Sequence, residues 1–170
     1  YELQGQHQQC DALLAQAVSN KLSVAFTGGM RMRLCTWRRD RVLARHILQN
    51  PDEGLRAFPQ VVKLLQAVVD GETMDLPKLM AEMPLSRSGS GRGQALFHQL
   101  GCEWYAFLGQ LDQSIKMLGA AVDNGLYDIV WVDQCPLLQP LHKDPRVAAM
   151  RRSVEARAKK VRDALTQPLL

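Results

Sequence analysis

Histidine and cysteine are two residue types of this 170-residue chain that could hold a metal ion or provide a nucleophile. The four histidines are far apart in the sequence: His7, His46, His98 and His142. None of them belongs to a His-Glu-x-x-His motif, so their spacing does not indicate metal binding. The four cysteines are equally dispersed: Cys10, Cys35, Cys102 and Cys135. Because they form no Cys-x-x-Cys pair, we expect these thiols to be buried as small apolar groups.

A glycine-rich stretch at residues 86–93 is the one segment whose composition suggests a phosphate-binding loop. It lacks the Lys-Ser or Lys-Thr ending of such a loop, and no predicted strand precedes it. We interpret it as a flexible connection. Because the sequence offers no activated nucleophile, acid–base pair or metal site, it predicts a protein that is not an enzyme and that binds no cofactor.

The composition indicates which elements must position any binding residues. Leu and Ala together number 42, whereas Val, Ile and Thr number 20, and this balance predicts an all-α fold. No run of about 20 apolar residues could span a membrane. The first residues lack the basic start and the apolar core of a signal peptide. We therefore expect a cytoplasmic fragment of a longer protein, one that does not bind membranes.

Apolar residues at helical spacing occur in pairs of segments joined by short breaks. The clearest pair spans residues 94–108 and 111–122. The turns of four such pairs fall at Gly5, Arg39, Gly71 and Gly109. These positions are 34, 32 and 38 residues apart, and helices joined by so short a turn lie antiparallel. The pattern predicts helical hairpins over residues 1–126, and an irregular helical bundle with coincidental spacing is the alternative.

A helix–turn–helix period near 34 residues resembles the tetratricopeptide repeat. The fourth hairpin matches the repeat best, through Tyr105, Ser114, Leu118 and Ala121. The resemblance covers residues 1–126 and implies a right-handed α-solenoid of antiparallel hairpins. In that family the first helix of each hairpin lines a concave groove, which binds a protein segment. The residues that the family spacing places in this groove are Phe26, Met30, Arg33, Gln99, Glu103 and Phe107.

Residues 127–170 follow the last hairpin, and residue types in and just before this segment resemble a second known pattern. The matching residues are Gly125-Leu126-Tyr127-Asp128, Trp131, Cys135-Pro136-Leu137-Leu138 and Asp144-Pro145-Arg146. They are similar to the segment that closes tetratricopeptide regions at the C-terminus of large bacterial signalling proteins, including serine/threonine kinases, class III nucleotide cyclases and transcriptional regulators. The residue types at Asp128, Pro136 and Asp144 predict three helix starts. We interpret residues 127–170 as a capping unit, because a solenoid must cover its last apolar face.

The last predicted helix, residues 146–165, combines an apolar stripe with most of the positive charge of the chain. The stripe recurs at helical steps: Val147, Met150, Val154, Ala158, Val161 and Leu165. Seven basic and two acidic residues give this segment a charge of +5, whereas the whole chain carries +4. The basic face predicts either a solvated surface or a contact with nucleic acid. We favour the solvated surface, because no aromatic residue alternates with the basic ones to stack on bases.

The predicted function is that of a non-catalytic protein–protein interaction or regulatory module in a multidomain bacterial signalling protein. Its partner would be a protein or peptide, or an effector domain of the same chain, bound in the concave groove in a helical or extended form. Two alternatives stay open. One is a small-ligand sensor domain of a transcriptional regulator, with a cavity near Gly28 and Gly29, and the other is a nucleic-acid contact through residues 146–162.

Overall fold

The computed structural model describes residues 2–20, 24–56, 59–71, 78, 81–82 and 90–166 of the chain. Every regular element in these ranges is a helix, which confirms the predicted all-α class. The chain divides into two compact units, Tyr1–Met83 and Pro84–Leu170. The division between hairpins and cap that the sequence predicts, at residues 126 and 127, stays a prediction. No helix of the described ranges has the length and hydropathy that crossing a lipid bilayer requires.

The first unit is built around one central helix. Its described elements are a 3₁₀ helix Glu2–Gln4, α1 (His7–Ser19), α2 (Val24–Trp37), α3 (Arg41–Gln49), α4 (Glu53–Arg56) and α5 (Pro59–Asp70). Helix α2 packs against α1, α3 and α4, and α5 packs against α3 and α4. The core side chains come mainly from α2, α3 and α5, whereas α1 has no fully buried residue. The second helix of the hairpin predicted around Gly71 lies outside the described residues, apart from positions 78, 81 and 82.

The second unit is built around a long helix pair. Its described elements are α6 (Gly91–Phe107), α7 (Leu111–Asp123), α8 (Ile129–Gln134), a 3₁₀ helix Pro136–Leu141 and α9 (Pro145–Thr166). Helices α6 and α7 pack against each other, and α9 packs against α7 and α8. The predicted helix starts at Asp128, Pro136 and Asp144 are confirmed. Asp128 caps α8 by accepting the backbone N–H of Trp131 at 3.0 Å.

The start of α6 corrects the interpretation of residues 86–93 as a flexible connection. Residues 91–93 are helical, because the Oγ of Ser90 accepts the backbone N–H of Gly93 at 3.1 Å and so caps the helix. Such a cap satisfies one of the amide groups that a helix start leaves without a partner. It thereby offsets part of the cost of two glycines in the first turn. Residues 86–89 lie outside the described residues.

The predicted turn residues all have a left-handed backbone conformation. The φ angle is 74° at Gly5, 55° at Arg39, 72° at Gly71 and 76° at Gly109. Glycine adopts such angles at little cost, but in other residues they bring Cβ close to the backbone. Arg39 is the one non-glycine residue of the described ranges with a positive φ. At this turn the amide of Asp40 donates to the carbonyl of Cys35 at 2.9 Å, which closes the end of α2.

Replacement of Arg39 by glycine should therefore stabilise the protein. We expect Arg39→Gly to raise the free energy of unfolding by about 0.5–1 kcal/mol, because glycine removes the strain of the positive φ at some cost in chain entropy. Gly109→Ala should have the opposite effect of similar size, since an added Cβ there meets no atom within 4 Å and only the backbone is strained. Urea denaturation followed by circular dichroism measures both changes. An Arg39→Gly variant no more stable than the wild type would contradict the strained turn.

The 3₁₀ helix at the beginning of the first unit is held to α2 by Arg38. The guanidinium donates to the Glu2 carboxylate, from Nη2 to Oε2 at 2.6 Å, and to Asp11 of α1 at 2.9 Å. The hydrogen bond from Arg38 is the main cause that lowers the pKa of Glu2 from 4.5 to about 2. Because the pKa is lowered, the ion pair stabilises the fold fully above about pH 4.5 and loses its contribution as the pH falls toward 2.

Candidate interaction groove

The second unit contains an open groove between its first and last helices. The first half of α6, residues 124–130 and the second half of α9 enclose about 600 Å³. Its walls include Leu96 from α6, Tyr127 and Val130 around the start of α8, and Val161 from α9. We term it the α6–α9 groove. A volume of this size lies within the range of sites that bind small ligands or the side chains of a partner.

Local sequence fixes the segment that forms the floor of the groove. Gly125 has a φ of 88°, which ends α7 and turns the chain, and the amide of Leu126 then donates to the carbonyl of Ala121 at 3.0 Å. Leu126 is buried. A Cβ added to Gly91 would lie 3.4 Å from the carbonyl oxygen of Asn124, so the start of α6 contacts the end of α7 closely. The groove is thus bounded by two glycines and the Asp128 cap.

Partly exposed apolar side chains converge on the groove. The exposed fraction is 40% for Leu96, 39% for Tyr127, 47% for Val130 and 40% for Val161. Single exposed apolar residues are common on protein surfaces, but several around one concave site are typical of an interaction surface. None of these four residues belongs to the set predicted from the sequence. Gln99, which does belong to it, also lines the groove.

The apolar stripe of α9 is buried only in its first part. Val147, Val154 and Ala158 are buried, as an amphipathic helix requires. Farther along the same stripe, Val161 is 40% exposed and Leu165 is 81% exposed. The end of the stripe is therefore not covered by other described elements, and Val161 lines the groove.

Three of the seven basic residues of α9 make bonds within the second unit. Arg146 donates to Asp112 of α7 at 2.9 Å, and Arg151 donates to Asp133 of α8 at 2.6 Å. Arg157 donates to backbone carbonyls at the end of α7 and beyond it. Side chains held in this way are not available to bind phosphates without losing these bonds. For these three arginines, the arrangement favours a packing role over a nucleic-acid contact.

The structure places the predicted binding residues of the first unit on α2. Met30 and Arg33 are partly exposed, and the guanidinium carbon of Arg33 lies 4.8 Å from the ring centroid of Trp37. Such a cation–π contact holds the side chain along the helix surface. Phe26 also belongs to α2, but its side chain lies outside the described residues. The binding role of these three residues stays a prediction.

The predicted binding residues of the second unit are buried in α6. The exposed fraction is 7% for Gln99, 1% for Glu103 and 4% for Phe107. The Oε1 of Glu103 accepts a hydrogen bond from the indole Nε1 of Trp131 at 2.6 Å. Glu103 therefore joins α6 to α8, which gives it a packing role. Partner binding by these residues stays a prediction, and of the three only Gln99 lines the α6–α9 groove.

The cavity considered near Gly28 and Gly29 is not found at Gly28. A Cβ on Gly28 would lie 2.9 Å from Oδ1 of Asp52 and 3.0 Å from Cγ of Leu55, so α2 and α4 pack against each other at this point. Gly29 is exposed, and a Cβ there would meet no atom within 4 Å. Gly28, the first glycine of the pair, therefore allows α2 and α4 to pack closely.

Burial shifts the pKa values of two cysteines and one histidine toward their uncharged forms. Burial raises the pKa of Cys35 to about 11 and that of Cys102 to about 12, so both thiols are protonated at neutral pH. Burial also lowers the pKa of His98, because the charged imidazolium is disfavoured away from water. Among the described residues, no group of three or more His, Cys, Asp or Glu side chains could hold a metal ion.

Comparison with protein-family models, curated protein sequences and solved structures gives no match to this chain. The tetratricopeptide resemblance therefore rests on the turn spacing and on the residues quoted from the sequence. The function is inferred from the geometry, exposure and charge of the α6–α9 groove.

Proposed function

We propose that the chain is a non-catalytic protein-interaction module and that the α6–α9 groove binds a segment of a partner protein. Following the two sequence resemblances, we further propose that the helices form a tetratricopeptide-like solenoid of antiparallel hairpins and that the module serves a multidomain bacterial signalling protein. The left-handed turn residues, which recur 34, 32 and 38 residues apart, support the repeat architecture.

One observation supports the binding role above all others. Leu96, Tyr127, Val130 and Val161 come from separate parts of the second unit, and each is about 40–50% exposed around one groove. Burial of apolar surface stabilises association by roughly 25 cal/mol per Å², so a partner that covers these side chains gains free energy. A protein segment fits an open groove of this kind, as a helix or an extended chain.

The proposal is tested by a charge placed in the groove. We expect Val161→Asp to abolish capture of a partner from a lysate of the source cells, because binding would bury the new carboxylate. Leu111→Asp is the matched control, since Leu111 is 38% exposed, belongs to the same unit and does not line the groove. Quantitative mass spectrometry compares what the wild type and the two variants retain.

The comparison between the variants decides the outcome. A protein retained by the wild type and by Leu111→Asp but lost with Val161→Asp supports the groove. Equal retention by all three chains would place binding elsewhere on the surface and overturn the proposal. Capture should weaken but persist at high salt, because apolar contacts are not screened, whereas retained nucleic acid should be lost under those conditions.

A further inference from the structure

Arginine side chains in this protein are in most places paired with carboxylates or carbonyls. Those with an acidic partner include Arg31, Arg38, Arg45, Arg146 and Arg151. Arg92 and Arg162 differ from these, because neither makes an ion pair within the described residues and both line the α6–α9 groove. Arg92 lies in the first turn of α6 and Arg162 near the end of α9, and both are exposed. Two arginines with no ion pair among the described residues thus line one apolar site from different helices.

The acidic residue of the groove does not neutralise them. Asp128 is the one carboxylate among the residues that line the groove, and its Oδ1 accepts the backbone N–H of Trp131 at 3.0 Å. Its negative charge is therefore held at the start of α8, where the exposed amide groups of the helix favour it. The groove therefore keeps an excess of positive charge beside its apolar side chains.

We infer that the α6–α9 groove selects a protein segment that is both apolar and acidic. Resting on the function proposed above, this inference names the chemistry of the partner: apolar side chains cover Leu96, Tyr127, Val130 and Val161, and carboxylates pair with Arg92 and Arg162. Arginine suits this role because its planar guanidinium can donate two parallel hydrogen bonds to a carboxylate. Complementary charge at the rim of an apolar site raises the association rate and selects among partners.

A random peptide library tests the inference without knowledge of the natural partner. A phage-displayed library of 15-residue peptides is selected on the full chain, after removal of phage that bind the Val161→Asp variant. The selected peptides should be enriched both in large apolar residues and in Asp and Glu. Their affinity for the full chain should fall as salt concentration rises, because the charged contacts lie at the exposed rim.

Charge reversal then identifies the arginines. We expect the Arg92→Glu/Arg162→Glu variant to bind a selected acidic peptide about tenfold more weakly than the wild type, since two exposed ion pairs become two repulsions. Lys160→Glu is the matched control, because Lys160 is exposed on the same helix and does not line the groove. It should change the affinity by less than about twofold. Replacing the peptide's acidic residues with glutamine should abolish the difference between the variants.

The outcomes separate this inference from the function on which it rests. If no peptide distinguishes the wild type from Val161→Asp, the groove does not bind protein segments and both fail. If selected peptides distinguish them but lack acidic residues, or bind the arginine variant equally well, only the acidic specificity is overturned. Dodecanoate, a small amphiphile, is tested as a competitor of the selected peptides. If it displaces them and binds more tightly than any of them, the occupant of the groove is a small amphiphile and the inference is overturned.

Discussion

Trp131→Ala should lower the free energy of unfolding of the second unit by about 3–5 kcal/mol. Trp131 is 1% exposed, so its truncation leaves a large cavity between α8 and its neighbours. The change also removes the indole N–H that donates to Glu103, whose side chain is itself 1% exposed. A buried carboxylate that loses a donor adds to the cost of the cavity. Urea denaturation of the full chain, followed by circular dichroism at 222 nm, measures the loss.

A conservative variant separates the two contributions. Trp131→Phe keeps an aromatic ring but removes the N–H, so we expect it to cost about 1–3 kcal/mol, because a buried acceptor loses this donor and a small cavity forms. In the background of Glu103→Leu, Trp131→Phe should cost clearly less, because the acceptor is gone. Equal costs in both backgrounds would mean that the Glu103–Trp131 bond does not stabilise the unit.

The adjacent glycines of α2 should respond in opposite directions to the same substitution. We expect Gly29→Ala to raise the free energy of unfolding by about 0.5–1 kcal/mol, because alanine has the higher helix propensity and the site is open. Gly28→Ala should lower it by about 1–2 kcal/mol. Its Cβ would approach Asp52 to 2.9 Å and the buried Leu55 to 3.0 Å, and overpacking outweighs the gain in propensity.

The position of Asp52 explains why relaxation at Gly28 is costly. Oδ1 of Asp52 accepts the backbone N–H of Leu55 at 3.0 Å and so caps α4. A side chain that moves away from the new methyl group loses this cap, which is itself worth about 0.5–2 kcal/mol. The two variants differ by one position on one helix, so each serves as the control of the other. If both prove equally stable in urea, α2 and α4 do not pack as closely as described.

Helix ends were the features that the sequence predicted best. Asp128 and the Asp144-Pro145 pair act through bonds to residues two or three positions away, so their chemistry can be read locally. The same holds for the left-handed turns, including Arg39, whose place in the spacing indicated a turn although its residue type did not. The short helix α4 was not predicted, because four residues are too few to establish a helical period.

The groove could not be predicted in the same way, because burial depends on residues distant in sequence. Glu103 and Phe107 fit the family spacing for an exposed face, yet Glu103 contacts Trp131, which lies 28 residues farther on. Val161 belongs to an apolar stripe with one uniform period, and nothing in that period separates its covered part from its exposed part. Leu96 and Val130 were detectable only as apolar residues outside the buried faces of their helices.

The bonds from Arg157 also have a consequence for synthesis of the chain. Its guanidinium donates to the carbonyl oxygen of Val122, 35 residues earlier, and to that of Leu126. Chains emerge from the ribosome N-terminus first, and units fold as their parts become available. Helix α7 therefore leaves the ribosome with its last carbonyls still lacking this donor, and the second unit can complete its packing only after α9 has been translated. A pause in translation within α9 would prolong the lifetime of an incomplete unit, which a nascent chain arrested at that point would reveal by its sensitivity to protease.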